Sequence, residues 1–88
     1  MEYFKVIARE KCHYCIKAKV HLKHNNLPFE YCSVDSSEEL LSYYKTIYKH
    51  DTVPIIILKG GEMDDKFIGG YTELVSFLER RTPSSNTE

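Results

Sequence analysis

The residues with the clearest chemical potential are two cysteines near the start of the chain. Cys12 and Cys15 lie three positions apart in the stretch REKCHYCIKAKVHL. Two thiols at this spacing can form a disulfide, bind a metal or pack inertly. The pair follows a predicted strand and opens a predicted helix, so free backbone amides and the helix dipole favour a thiolate at Cys12. One helical turn brings Cys15 within bonding distance, and such a dithiol beside a βαβ pattern is typical of thiol-disulfide exchange.

A zinc site is the main alternative use of these cysteines. Cys12, Cys15, His21 and His24 together have the spacing C-x2-C-x5-H-x2-H. At the helical repeat, both histidines would lie roughly 180 to 240° around the helix from Cys15 and face away from it. This spacing is also not that of a usual zinc finger. We therefore expect the two histidines to be solvated surface residues and no metal to be bound.

Length and composition indicate one small folded domain. The 88 residues are 42% apolar and 12% aromatic, and twelve Lys and Arg against thirteen Asp and Glu give a net charge of −1. The absence of a long single-sign block gives no electrostatic indication of nucleic-acid binding. The longest apolar runs are too short to span a bilayer, and the N-terminus lacks the order of a signal peptide. We expect a cytoplasmic monomer in a reducing compartment, with a domain at residues 1–82 and a disordered tail at 83–88.

Alternating strands and helices are expected to position the cysteine pair. Hydrophobic periodicity predicts strands at 3–8, 29–34, 52–60 and 66–70, and helices at 12–25, 36–48 and 72–81. The order β-α-β-α-β-β-α predicts an α/β protein in which a parallel βαβ unit precedes an antiparallel hairpin. The expected architecture is therefore a four-stranded mixed sheet flanked by three helices.

Apolar spacing predicts the buried face of the first helix. Ala18 and Leu22 follow Cys15 at helical spacing, and Ile16 and Val20 are expected to widen this buried stripe. Three residues outside this stripe would surround the cysteines with positive or potentially positive charge: Arg9, Lys11 and His13.

The second helix and the strand before it complete the expected core. Ser36 and Glu39 have capping-box spacing at the helix start, and the apolar stripe predicted for the helix consists of Leu40, Tyr44 and Ile47. In the preceding strand, Cys32 is expected to be an ordinary buried or partly buried thiol.

Taken together, three motifs resemble those of the glutaredoxins over residues 3 to 81. Cys12-His13-Tyr14-Cys15 is similar to the family's CPYC, Thr52-Val53-Pro54 to its TVP motif, and Gly69-Gly70 to the paired glycines that open the last helix. The resemblance implies a thioredoxin-like fold and a cis bond before Pro54. It also implies thiol-disulfide exchange with glutathione as co-substrate and no bound cofactor. Cys12 would be the nucleophile and Cys15 the resolving thiol.

The resemblance also implies a glutathione groove between the CxxC corner, the TVP turn and the glycine pair. The residues expected to bind glutathione are Arg9, Tyr14, His50, Thr52, Val53, Pro54, Gly70, Tyr71, Thr72 and Glu73. Arg9 and His50 would bind the glycine carboxylate, and the Val53 backbone would pair with the cysteinyl residue. Amides at the start of the last helix would bind the γ-glutamyl carboxylate, with Glu73 on its ammonium.

Three positions depart from the family pattern. His13 replaces the proline of CPYC, and our hypothesis is that its protonated form stabilises the Cys12 thiolate and makes the disulfide more oxidising. We expect the nearby Lys11 to tune the redox chemistry of Cys12 in the same way, although it is not one of the three departures. Glu73 replaces Asp and adds a methylene, while Tyr71 replaces Cys and adds bulk beside the groove.

Two other functions remain open at the level of sequence. The first is a thioredoxin-reductase-dependent electron donor, with ribonucleotide reductase as one acceptor. Such chains typically carry Trp-Ser-Gly-Phe where this one has Ile68-Gly69-Gly70-Tyr71, and this chain has no Trp. The second is a [2Fe-2S] carrier, a role typical of relatives with a single cysteine in a CGFS context. The expected partners are glutathione and glutathionylated or disulfide-containing proteins, among them ribonucleotide reductase, rather than nucleic acid or membrane.

Overall fold

A computed structural model of the chain describes residues 2–61 and 65–81. The strands are β1 (Tyr3–Ala8), β2 (Phe29–Ser33), β3 (Ile55–Lys59) and β4 (Lys66–Gly69), and the helices are α1 (His13–His24), α2 (Glu38–Tyr48) and α3 (Tyr71–Arg81). The predicted order of elements is confirmed. The predicted tail at 83–88, and the domain end at residue 82, lie outside the described residues. Within the described ranges, no helix is long and apolar enough to cross a membrane.

The four strands form one mixed sheet in the order β2-β1-β3-β4. β1 runs parallel to β2 and antiparallel to β3, and β3 runs antiparallel to β4. The parallel pair requires a crossover, which α1 supplies. This arrangement confirms the predicted thioredoxin-like fold. Because Ile7 near the end of β1 lies opposite Ile55 at the start of β3, the loops that carry Cys12 and Pro54 meet at one edge of the sheet.

The central strand β3 is buried on both faces, which explains its uninterrupted run of apolar residues. Ile56 packs on one side of the sheet in a cluster with Leu22 of α1 and Leu74 of α3. Ile55 and Ile57 pack on the other side in a cluster that includes Leu41 of α2. Each fully buried side chain of this size stabilises the fold by roughly 1.5–3 kcal/mol. Packing from α1 on one face and α2 on the other therefore fixes the position of β3 and of the turn that precedes it.

The buried face of α1 is narrower than predicted. Cys15, Ala18 and Leu22 are fully buried, as expected, but Ile16 and Val20 are 45% and 55% exposed. The prediction that these two residues widen the core stripe is wrong. At about 100° per residue, Ile16 and Val20 lie on the side of α1 away from Leu22, so they face solvent.

The start of α2 differs from the prediction by one residue. Ser37, rather than Ser36, is the N-cap, and its Oγ accepts a hydrogen bond from the Leu40 N–H at 3.1 Å. The predicted capping box of Ser36 and Glu39 is therefore wrong. Two consecutive serines offer the same capping chemistry, and only the packed position of the helix selects between them.

The buried face of α2 also differs from the prediction. Leu41 is buried, whereas Leu40 and Ile47 are 41% and 45% exposed. The half-buried Tyr44 belongs to the inner face together with Tyr48, and the two rings stack with centroids 6.4 Å apart. The predicted stripe and the observed one, which consists of Leu41, Tyr44 and Tyr48, both have helical spacing. The packing of the two tyrosines over the sheet determines which stripe faces the core.

Candidate active site

Cys12 is the N-cap residue of α1 and lies at the end of the loop that follows β1. Its backbone is extended, with φ −101° and ψ 111°, and its Sγ accepts a hydrogen bond from the Cys15 N–H at 3.1 Å. The two cysteines form a disulfide. An amide donor and the positive end of a helix dipole both stabilise negative charge on the Cys12 sulfur once the disulfide is reduced.

The two sulfurs differ in their access to solvent. Cys15, on the inner face of α1, is fully buried, whereas Cys12 is half-buried. The Cys12 Sγ lies 3.8 Å from the Val53 carbonyl oxygen. It borders an open depression of about 630 Å³, which we call the Arg9 depression; its lining residues are Arg9, Glu10, Lys11, Cys12, Asp35 and Val53. An external thiol or disulfide can therefore reach Cys12 directly and Cys15 only through it.

The turn before β3 forms the opposite wall of the site. The peptide bond between Val53 and Pro54 is cis, which confirms the prediction made from the TVP motif. Pro54 is buried and Val53 is half-buried. Proline lacks a backbone N–H, so its position just ahead of the first ladder residue of β3 leaves the strand pairing intact.

A second depression, of about 440 Å³, lies between the start of α1, this turn and the start of α3. We call it the groove. Its lining residues are Tyr14, His50, Thr52, Val53, Pro54, Gly70, Tyr71, Thr72 and Glu73. Residues from three distant parts of the sequence thus meet there, and they are all members of the set predicted to bind glutathione.

Arg9 is the member of that predicted set that does not line the groove. Its guanidinium group forms ion pairs with Asp35, at 3.6 Å from Nε, and with Glu38, at 3.3 Å from Nη2. All three side chains are substantially exposed, so each pair contributes at most about 1 kcal/mol to stability. The two carboxylates offset part of the positive charge that Arg9 was expected to present to Cys12. Its role in binding glutathione stays a prediction.

The first turn of α3 presents backbone amides to the groove. The Gly70 N–H donates a hydrogen bond to Glu73 Oε1 at 2.9 Å, so the side chain of Glu73 caps the helix from within. Gly69 has φ +125°, a conformation that side chains other than glycine rarely adopt. This sharp change of direction turns the chain from β4 into α3 and faces the helix start toward the groove.

Aromatic rings form the outer wall of the groove. The Tyr14 and Tyr71 rings lie 6.1 Å apart, and the Lys17 ammonium lies 5.4 Å and 5.8 Å from their centroids. His21 is half-buried with its ring edge-on to Tyr71, rather than fully solvated as predicted, whereas His24 is exposed. Across residues 2–61 and 65–81, no group of three or more His, Cys, Asp or Glu side chains is placed to hold a metal ion.

The two residues predicted to tune the redox chemistry lie beside Cys12 and outside the groove. Lys11 is exposed and borders the Arg9 depression. His13 is exposed at the first position of α1, with its ring edge-on to Tyr14 at 6.0 Å. Their effect on the thiolate stays a prediction.

Sequence reasoning missed two residues that shape the site. Phe67 of β4 packs its ring against His50 with centroids 5.4 Å apart, while His50 Nε2 lies 3.5 Å from Thr52 Oγ1. Lys17, described above, covers both tyrosine rings. The apolar character of Phe67 indicated only a strand, and Lys17 looked like any solvated lysine, so no sequence signal identified either residue.

Cys32 lies apart from this site, on the edge strand β2. It is half-buried, as predicted, and carries a free thiol. Burial raises the pKa of the Cys32 thiol, and the neighbouring Glu30 carboxylate raises it further, while Lys5 acts in the opposite direction. Because a raised pKa keeps the group protonated near neutral pH, Cys32 is a poor nucleophile compared with a thiolate at a helix start.

Comparison with known families gives the identity of the chain. The glutaredoxin family model matches residues 2–63, which include the CxxC pair and the TVP turn. The chain belongs to the glutaredoxin family. With cysteines at both positions of the motif, this glutaredoxin fits the dithiol class, and its activity is that of a thiol-disulfide oxidoreductase.

Solved structures of other glutaredoxins share the fold. Glutaredoxin 1 from Francisella tularensis, solved as a cacodylate complex, is 27% identical with a TM-score of 0.74, covering 94% of this chain and 99% of its own. The dithiolic glutaredoxin 2-C-Grx1 from Trypanosoma brucei brucei is 26% identical with a TM-score of 0.73, covering 96% and 84%. Buckwheat glutaredoxin, solved with glutathione, is 18% identical with a TM-score of 0.71, covering 93% and 71%, and that likeness concerns the fold alone. A comparison with curated protein sequences finds no match.

Proposed function

We propose that this glutaredoxin uses glutathione as its reductant and reduces protein-glutathione mixed disulfides and protein disulfides through Cys12. The observation that carries the proposal is the position of the one accessible active-site sulfur beside the groove. The groove offers aromatic walls, a strand-like backbone at Val53 and a helix start, which together suit a short peptide with a terminal carboxylate. The buckwheat relative, whose structure contains glutathione, supports the same ligand.

The start of α3 suits the γ-glutamyl end of glutathione. The amides at the start of α3 would bind the γ-glutamyl carboxylate, and the Glu73 carboxylate would bind the adjacent ammonium. In the free protein Glu73 already accepts the hydrogen bond of the Gly70 N–H. Bound glutathione would therefore share this amide with Glu73 or displace it. The Nε2 of His50 lies beside Gly70, 3.6 Å from where a Cβ on that glycine would stand, so this imidazole adds a polar group at the same end of the groove. Binding of the glycine carboxylate by His50 stays a prediction.

The proposed reaction is thiol-disulfide exchange. The Cys12 thiolate attacks the glutathione sulfur of a mixed disulfide, so a Cys12–glutathione disulfide forms, the original S–S bond breaks, and the substrate leaves as a thiolate that takes a proton from water. A second glutathione thiolate then attacks the glutathione sulfur on Cys12, which releases glutathione disulfide and restores the Cys12 thiolate.

Cys15 provides the second route. With a protein disulfide, the Cys12 thiolate first attacks one substrate sulfur, so a Cys12–substrate disulfide forms and the first substrate thiolate leaves. The Cys15 thiolate then attacks the Cys12 sulfur, expels the second substrate thiolate, or glutathione where that is bound, and forms the Cys12–Cys15 disulfide present in the structure. Two glutathione molecules then reduce this disulfide and leave as glutathione disulfide. This route suits protein disulfides, with ribonucleotide reductase as one candidate substrate. We also propose a cytoplasmic location, since the reaction requires a compartment with reduced glutathione.

A coupled assay separates this function from its main rival. A glutathionylated peptide is supplied once with glutathione and glutathione reductase, and once with thioredoxin reductase alone, while NADPH consumption is followed. We expect turnover only in the first system. A protein disulfide is included as a control, because turnover of that substrate with thioredoxin reductase and none with glutathione would establish a thioredoxin-type donor instead.

A further inference from the structure

Helix α1 concentrates positive charge in a chain that is otherwise acidic. Its twelve residues include Lys17, Lys19 and Lys23, together with three histidines, and no Asp or Glu. The whole chain has a formal net charge of −1 with neutral histidines. Since the lysines give α1 a formal charge of +3, the rest of the chain carries −4. The charge on α1 is thus a local feature that the overall composition conceals.

Part of this charge surrounds two exposed apolar side chains. Ile16 and Val20, one turn apart, are 45% and 55% exposed. At about 100° per residue, they lie with Lys17 and Lys23 within a sector of roughly 120° around the helix axis, opposite the buried Leu22. We call the surface formed by Ile16, Lys17, Val20 and Lys23 the α1 outer face.

The lysines of this face are not neutralised within the described part of the chain. The ion pairs there use Arg9 and Lys59 as their cations. Lys17 instead lies over tyrosine rings at the edge of the groove, and Lys23 is exposed. An acidic partner could therefore approach the face without first displacing an internal carboxylate.

We propose that the α1 outer face docks an acidic, partly apolar segment of the protein substrate next to its reacting cysteine. This inference rests on the proposed function. The face belongs to the helix that Cys12 caps, and Lys23 lies about 16 Å along that helix from Cys12. An extended polypeptide of about five residues covers this distance. Acidic side chains within about five residues of the substrate cysteine would therefore reach the lysines, and an apolar one would cover Ile16 and Val20.

The other polyanions that could meet a basic surface fit less well. A phosphate backbone would leave Ile16 and Val20 uncovered. An anionic bilayer would have to take up the apolar side of a helix, but the principal apolar side of α1, with Leu22, is buried against the sheet. A short acidic peptide meets both the charge and the apolar pair.

The test compares two double variants in which the same kinds of residue are changed. Val20→Glu/Lys23→Glu alters the α1 outer face, and Ile47→Glu/Lys66→Glu replaces another exposed apolar residue and an exposed lysine on α2 and β4. Each protein is assayed with glutathione and glutathione reductase on three substrates. These are a glutathionylated peptide with acidic flanks, one with basic flanks, and the small mixed disulfide of cysteine and glutathione.

We expect the wild type to prefer the acidic over the basic peptide by about tenfold in kcat/KM at low ionic strength, and salt to reduce this preference. The preference should disappear in Val20→Glu/Lys23→Glu and persist in Ile47→Glu/Lys66→Glu, while all three proteins turn over the small disulfide equally. An absent preference in the wild type, or its loss in both variants, would overturn the docking surface.

Two further outcomes count against the inference in other ways. Equal loss of activity on the small disulfide and on the acidic peptide in Val20→Glu/Lys23→Glu would locate the effect in the groove. Tighter binding of a single-stranded DNA oligonucleotide or of anionic phospholipid vesicles than of the acidic peptide would assign the face to a different partner. Failure of the wild type to turn over the small disulfide would instead overturn the proposed function itself.

Discussion

Cys12→Ser is expected to abolish glutathione-dependent turnover, whereas Cys15→Ser retains part of the activity on a glutathionylated peptide. Serine at position 12 leaves no thiolate to attack the mixed disulfide, so kcat/KM should fall by several orders of magnitude. At position 15 the backbone N–H that stabilises the Cys12 sulfur is unaffected, since that hydrogen bond does not use the side chain. The loss there should stay within about tenfold for a reaction that bypasses the resolving thiol.

The measurement is NADPH consumption with glutathione reductase, on the peptide and on a protein disulfide in parallel. Cys15→Ser should lose far more activity on the protein disulfide than on the peptide, because only reduction of the protein disulfide needs two thiols in the enzyme. Cys32→Ser is the matched control, since it removes a thiol of raised pKa that lies away from the site. Substantial peptide turnover by Cys12→Ser would contradict the assignment of the nucleophile.

Gly69→Ala is expected to damage both stability and substrate binding. Gly69 has φ +125°, and a Cβ there would lie 2.8 Å from both Cβ and Cγ of Glu73. Backbone strain of this kind costs roughly 1 to 3 kcal/mol. Gly69 also pairs with Ile56 in the sheet, so the displacement should fall on Glu73 and the start of α3. Loss of the Glu73 cap on Gly70 would then reposition the amides at one end of the groove.

We expect urea denaturation to report the lower stability and steady-state kinetics to report an increase of about tenfold in KM, with a smaller change in kcat. Gly61→Ala is the control. The nearest atom to its added Cβ is Glu2 Oε2 at 3.1 Å, at the end of a flexible side chain, so stability and KM should change little. An unchanged KM in a destabilised Gly69→Ala would mean that the start of α3 does not bind the substrate.

The site was more predictable from the sequence than the faces of the helices. Cys12, Pro54 and Gly70 belong to short motifs whose backbone requirements are local: a helix cap, a strand start and a turn into a helix. Once the order of strands is known, the sheet brings these motifs to one edge. With the resemblance to glutaredoxins, the sequence predicted the residues that line the groove, and of that predicted set only Arg9 lies outside it.

Most of the errors arose where tertiary packing decides between equivalent local patterns. The error at Ile16 and Val20 is different in kind, because at about 100° per residue both lie on the side of α1 opposite Leu22 and only their apolar character placed them in the stripe. Ser36 and Ser37 have the same capping chemistry. The ion pairs of Arg9 join it to residues about thirty positions away, and no local pattern predicts them. The two side chains of α1 that lie outside the core, Ile16 and Val20, belong to the surface that we propose for substrate docking.

The most direct test of the account is to map bound glutathione on the protein. Cys15→Ser, converted to its mixed disulfide with glutathione at Cys12, is compared with the reduced variant by nuclear magnetic resonance of the backbone amides. We predict that the amides of Tyr14, Val53, Gly70 and Thr72 shift, and that Gly70 and Thr72 show contacts to the γ-glutamyl group. Shifts confined to the Arg9 depression, with Gly70 and Thr72 unchanged, would contradict the claim that the groove binds glutathione.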